Sequence, residues 1–233
     1  VAVVRPSFAV PDEAAYFVVK RSIGGNTARY IERMHSRRFV DPRDCFFVDS
    51  GLSYDSPVTI TGVALANPVV LTVDAGHGLV AGDEVDVSDI TWIPTVDAVS
   101  AETQPDQLNG VRFKVGTSTA TTISLQTLAS VNVDGTAFSA YVEGGKVREA
   151  VSKLYGFRHL AGESVVILAD GGVLRGLTVA SDGSVTLPAK ASRVHLGLSY
   201  YADVELLDIS VPRAGLDFTQ GRLKNVHKVT VRF

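Results

Sequence analysis

Alternation of apolar and polar residues with a period of two is the dominant signal along this chain. Residues 17–23 and 27–31 alternate on either side of Gly24-Gly25-Asn26. That trio tolerates positive φ and suits a tight reversal, so the segment predicts a hairpin. From residue 58 onward, apolar runs at 60–64, 69–73, 84–87, 111–115 and 122–125 recur, several of them parted by Gly-bearing reversals at Gly76-His77-Gly78, Ala81-Gly82-Asp83 and Asn109-Gly110. Five or six short antiparallel strands of this kind curl into a barrel or a sandwich. Runs at 165–168, 173–179 and 185–187, separated by Asp170-Gly171 and Asp182-Gly183, predict a three-stranded meander with type I′ turns. Strands are also expected at 192–198 and 204–211. Val147, Val151 and Leu154 stand at helical spacing with Gly156 as a stop, and predict one short helix. At the end, His227, Val229, Val231 and Phe233 alternate with Lys228, Thr230 and Arg232. The pattern is still running at the last residue and the first is Val1, so a piece of a larger protein is expected.

Composition strengthens the β reading. Valine occupies 36 positions, with 21 Gly and 9 Pro punctuating the runs, a mixture that favours strands. At 233 residues and 45% apolar, the chain is long enough to bury a substantial core. It has no apolar run of the ~20 residues a membrane helix needs and no charged-then-apolar leader. The single Cys45 excludes an internal disulfide framework and a cysteine-cluster zinc site.

The net charge of −3 hides an asymmetry. Residues 1–57 carry 8 Lys/Arg against 7 Asp/Glu, residues 58–145 carry 2 against 10, and residues 146–233 carry 12 against 8. The strongly acidic centre reads as a separately folded insertion. The expected organisation is therefore mostly β: a scaffold built by both flanks, 1–57 and 146–233, an inserted small antiparallel barrel at 58–145, and one short helix.

Candidate chemistry changes this picture little. Gly76, Gly78 and Gly82 miss the GxGxxG spacing by one residue and precede a strand rather than a helix. His77 with Asp74 and Asp83 is a possible ligand set, but side chains on such turns more often bond their own backbone. His35, His159, His195 and His227 are scattered, none beside a plausible nucleophile; triads assemble from distant positions, as Ser53, His159 and Asp170 could in principle, but nothing specific invites that grouping. Arg33, Arg37 and Arg38 suit a nucleic acid or an acidic subunit, diluted by Glu32, Asp41 and Asp44; the solvated reading is preferred. Trp92, Ile93 and Pro94 form the candidate interaction surface. No catalytic residue, metal ligand or cofactor is assigned, and a non-enzymatic role is expected.

Longer strings carry a resemblance. AGHGLVAGDEVDVSDI (75–90), LNGVRFKV (108–115) and TTISL (121–125) resemble the small β-barrel module named after the first catalytic-cysteine half-domain of ubiquitin-activating enzymes. The flanks, through AYFVVKRSIGGNTARYIERM (15–34), CFFVDSGLSYDS (45–56), LYGFRHLAGESVVILADGGV (154–173) and KNVHKVTVRF (224–233), resemble the tubular tail or nozzle proteins of short-tailed bacteriophages. Two departures stand out: the stretch 92–106 is longer and richer in Pro, Thr and Val than the family's loop, and long terminal portions are lacking. The resemblance implies a structural virion protein located in the phage tail. It implies a homo-oligomeric ring of about six copies, other tail or adaptor proteins as partners, and DNA passing through on ejection. The alternative is a host receptor- or glycan-binding tail module. The enzyme's chemistry lies in other domains and is not carried over.

Overall fold

The structure, a computed structural model, describes residues 2–4, 15–36, 38–93 and 108–201. The strand expected at 204–211, the closing strand at 227–233 and most of the 92–106 stretch lie outside the described residues.

The fold is mostly β, built from antiparallel pairs. β1 (Ala2–Val4), β2 (Tyr16–Ile23) and β3 (Asn26–Arg33) form a three-stranded sheet in that order. The β2–β3 register runs unbroken from Tyr16 opposite Arg33 to Ile23 opposite Asn26. It turns on Gly24 and Gly25, whose φ values of 55° and 78° are those of a type I′ turn, the geometry whose twist matches the flanking strands.

A 3-10 turn at Pro42–Asp44 leads to β4 (Asp49–Asp55). Then come β5 (Pro57–Ala64), β6 (Val70–Val73), β7 (Glu84–Trp92), β8 (Val111–Ser118), β9 (Thr122–Gln126) and β10 (Tyr141–Leu154). These last six strands close on themselves in the order β10-β5-β6-β9-β8-β7, with β7 returning to β10, and make an antiparallel barrel. Closure leaves no open edge. The interior is filled by alternate residues of each strand: Ile60, Leu71, Val73, Val85, Val87, Phe113, Val115, Ile123, Leu125 and Val147 are all buried. Each fully buried Val, Leu or Ile contributes about 1.5–3 kcal/mol relative to exposure.

A second 3-10 turn at Arg158–Leu160 precedes β11 (Ser164–Ala169), β12 (Gly172–Thr178), β13 (Val185–Ala191) and β14 (Arg193–Leu198). Their order is β12-β11-β14-β4 in one sheet, while β13 pairs with the far end of β10. A second apolar cluster, with Leu154, Leu160, Val165, Ile167, Val185, Leu187, Val194 and Leu196 at its centre, lies beneath these strands and takes in Ile23 from the hairpin tip.

Two expectations are corrected. The segment holding Val147, Val151 and Leu154 is not a helix but part of β10, which bonds β7 and β5 along its first half and β13 along its second. Helical spacing arose because a register shift between Val151 and Lys153 resets which residues face inward, and ladder pairing with three strands outweighs a weak local preference. The meander has two strands, not three. Asp170-Gly171 makes the expected type I′ turn, with both φ values positive, whereas at Asp182-Gly183 only the glycine has positive φ and the chain leaves for β10 instead. Among the described residues no helix is long and apolar enough to cross a membrane.

Gly144 and Gly145 lie within β10, beside a register shift, with φ of 74° and 106°. A Cβ on Gly145 would sit 2.8 Å from Ile90 and 2.9 Å from Ile60. Gly145→Ala is therefore expected to lose about 2–4 kcal/mol of unfolding free energy in urea, from strain plus overpacking.

Arginines bind the barrel to the strands around it. Arg112 on β8 donates from Nε and Nη2 to Asp86, from Nη2 to Asp170 on the β11–β12 turn and from Nη1 to the Lys190 carbonyl of β13. Arg148 on β10 joins Asp55 of β4 at 2.7 Å and donates to Ser88 of β7, while Lys190 reaches Glu84 at 3.0 Å. The Asp86 carboxyl, resisted by burial but bonded by Arg112, is held below its ordinary range, and Arg112 is raised by the same contact. Arg112→Ala leaves two partly buried carboxylates unpaired. It is expected to cost about 3 kcal/mol in urea denaturation, against under about 1 for Lys114→Ala, whose ammonium meets only Ser130 at the surface.

Candidate interaction surface and the polar clusters

Trp92 and Ile93 stand at the end of β7, where the pleat alternates sides. Trp92 lies opposite Tyr141 of β10, meets Phe138 edge-on at 6.4 Å between ring centroids, and is half-buried against the barrel core. Tyr141 donates its hydroxyl to the Gly144 carbonyl at 3.0 Å. Among the described residues the buried Trp92 Nε1–H has no acceptor, a cost of about 1–3 kcal/mol. Ile93 faces outward, 49% exposed, its amide bonded to the Ala140 carbonyl. Pro94 lies outside the described residues. The three predicted residues thus divide: the indole serves the core and the isoleucine the surface.

The outer side of β7 and β10 near them is polar. Asp89 sits at φ 62° in β7, and past it the inward set changes from Val85 and Val87 to Ile90 and Trp92. Asp89, Thr91 and Ile93 consequently share the exposed side with Val142 and Glu143.

Ser53, His159 and Asp170 do not come together. Ser53 on β4 is directly opposite His195 on β14, and the two are joined by a 2.6 Å bond between Ser53 Oγ and His195 Nδ1. His195 Nε2 lies 3.1 Å from the Arg43 carbonyl, which accepts from it, so Nδ1 is the nitrogen left to accept from the serine. His159 instead donates to the Ser50 carbonyl and stands edge-on to Tyr30. Asp170 accepts from the Ser192 and Arg193 amides and from Arg112. In a serine hydrolase a carboxylate stabilises the imidazolium as it forms; here a neutral carbonyl occupies that place, and the geometry is that of a cross-strand clamp. Sequence reasoning missed the Ser53–His195 pair because its members are 142 residues apart and joined only through strand pairing.

Around this clamp, His35 stacks on Phe46 at 4.8 Å and on Phe39 at 5.7 Å, Phe39 meets Phe47 edge-on, and Phe46 meets His195 edge-on. Phe47 is 60% exposed. Beneath it, Arg193 reaches Asp44 at 2.5 Å and Asp41 at 3.3 Å. The aromatic doublet at 46–47 was the available signal for this cluster.

His77 spends both ring nitrogens on backbone, donating from Nε2 to the Thr119 carbonyl and accepting the Leu79 amide at Nδ1, and Asp83 accepts the Val80 amide. They shape the β6–β7 loop, and no group of metal-binding side chains occurs among the described residues.

No known family model matches this chain, and no curated protein matches it.

Burial pushes the His195 imidazole below its ordinary value, although the Arg43 carbonyl and Asp44 oppose this. The Arg43 guanidinium holds Asp41 down at about 2, and Arg21 and Ser50 hold Glu32 below its usual range against burial. All three are depressed on folding, so the unfolded chain binds protons more readily and stability falls as pH drops. Loss is expected in two stages: the first below about pH 6.5, from His195, and the second from about pH 4 towards 2, from the carboxylates. Urea midpoints across this range check it. His195→Gln should flatten the first stage and leave the second; an unchanged first stage assigns it elsewhere.

Proposed function

We propose that this chain is a structural, non-enzymatic protein of a bacteriophage tail. It serves as a subunit of the tube or nozzle, in a closed ring of about six copies held by head-to-tail contacts. Other tail or adaptor proteins adjoin it, and DNA passes through the enclosed channel without base-specific contacts. The two flanks, 1–57 and 146–233, provide the body of the subunit and 58–145 most of the guest barrel, which the first half of β10 closes across that boundary. A channel wall for DNA transit is acidic or neutral, because strong phosphate binding would stall it.

The observation that carries this reading is where the family-like segments meet. The 15–34 stretch is the β2–β3 hairpin, 45–56 contains β4, and 154–173 contains β11 and its turn. Far apart in sequence, they are joined in space. The Gly24 amide donates to Glu163 at 2.7 Å, Arg21 binds Glu32 and Asp49, Ser50 donates to Glu32, and β4 and β11 flank β14. The segments that carry the resemblance thus belong to one folded frame, and that is the support for the family reading.

The second reading, a receptor- or glycan-binding tail module, draws on the exposed Ile93 beside a tryptophan whose N–H lacks an acceptor. One measurement separates the two. Sedimentation of the full-length protein, or its mass in virions, should give a ring of about six subunits. A monomer or trimer, together with a change in emission of the single tryptophan on adding cell-wall glycan, would replace the conduit with the binding module.

A further inference from the structure

In sequence the basic residues from 20 to 43 are diluted by Glu32 and Asp41, with Asp44 next to them. The structure pairs each of those carboxylates with a cation other than Lys20, Arg29 and Arg33. Glu32 turns inward to Arg21 and Ser50, and Asp41 and Asp44 are taken by Arg43 and Arg193. What remains on the outward side of the hairpin is set by its register: Lys20 opposite Arg29, Val18 opposite Ile31 and Tyr16 opposite Arg33. Lys20, Arg29 and Arg33 are exposed and have no ion-pair partner among the described residues. Ile31 between them is 77% exposed.

This face is unfavourable in isolation. Like charges directly opposite on a ladder repel, here Lys20 against Arg29, and a large aliphatic side chain is left in water beside them. An acidic partner with apolar surface relieves both costs at once. The chain carries such a surface itself. Its barrel segment holds 10 carboxylates against 2 cations in sequence, of which Asp97, Glu102 and Asp106 lie outside the described residues; Asp86 and Glu84 are paired with Arg112 and Lys190, and Lys114 is bonded to Ser130. On the outer side of β7 and β10, Asp89 and Glu143 are exposed together with Ile93, with Lys146 exposed opposite Ser88 as the local counterweight.

We propose that the outward face of the β2–β3 hairpin docks on the acidic barrel of a second copy of this chain, with Ile31 at the centre of the contact and Lys20, Arg29 and Arg33 at its rim. The inference rests on the ring reading above and supplies its head-to-tail contact, since the two faces are different patches of one molecule. Nucleic acid is the less suitable occupant. A phosphate backbone has no use for a bared isoleucine, and the chain's net charge of −3 works against it.

The test is sedimentation of the whole chain over a range of concentrations. At about 50 mM salt, Arg29→Glu with Arg33→Glu should weaken self-association about tenfold or more. Asp89→Lys with Glu143→Lys should do the same. An equimolar mixture of the two reversed chains should recover it, because each acidic hairpin then meets a basic barrel. Ile31→Ser weakens association without altering charge, and unchanged urea midpoints show that the variants remain folded. Native-like association of both reversed chains would overturn this contact while leaving the ring itself standing. Duplex DNA held through Arg29 and Arg33, with association untouched, would reassign the face to nucleic acid and overturn it as well. A native chain that stays monomeric at every concentration would remove the ring reading and this contact together.

Discussion

Everything in this fold depends on one strand having to satisfy three neighbours. β10 gives its first half to β7 and β5, closing the barrel, and its second half to β13 over the other apolar cluster. A strand cannot serve two cores without changing which side faces inward. The change is made at the register shift near Val151, while the positive-φ glycine pair at 144–145 lies within the barrel half. Because backbone groups buried without partners are costly, the positions of these irregularities fix how the barrel is oriented on the strands that follow it.

The arginine contacts act on the same junction. Arg112 and Arg148 are largely buried cations whose fork-shaped guanidinium groups satisfy several acceptors at once, from β4, β7, β13 and the β11–β12 turn. Ion pairs of this kind are weak contributors to net stability when compared with apolar replacements, but breaking one partner is expensive. Their value here is directional: they fix one relative placement of barrel and sheet.

The same economy of charge shapes the surface. Carboxylates that neutralise the basic stretch in sequence are paired with Arg21, Arg43 and Arg193, which leaves Lys20, Arg29 and Arg33 exposed. An exposed ion pair would have contributed little to folding; the unpaired cations offer charge for association instead.

The chain's residues alone determined the class of the fold and most of its strands, because period-two alternation, valine abundance and glycine-bearing turns are local properties that survive without tertiary context. The Gly24-Gly25 hairpin and the strands around the Gly76, Gly78 and Gly82 loop were legible for that reason. So were His77 and Asp83 as residues that bond their own loop. What only the tertiary structure decided was everything carried by pairing across long separations. Val147, Val151 and Leu154 have a spacing that suits either a helix or an irregular strand, and three partner strands chose the latter. Asp182-Gly183 marks a turn but cannot say which strand receives the chain. Ser53 found His195 and not His159 through a strand register with no local trace, and Glu32 reached Arg21 by the same means. Local chemistry sets what each segment can become, and the competition for hydrogen-bonding partners and buried surface sets which of those it does become.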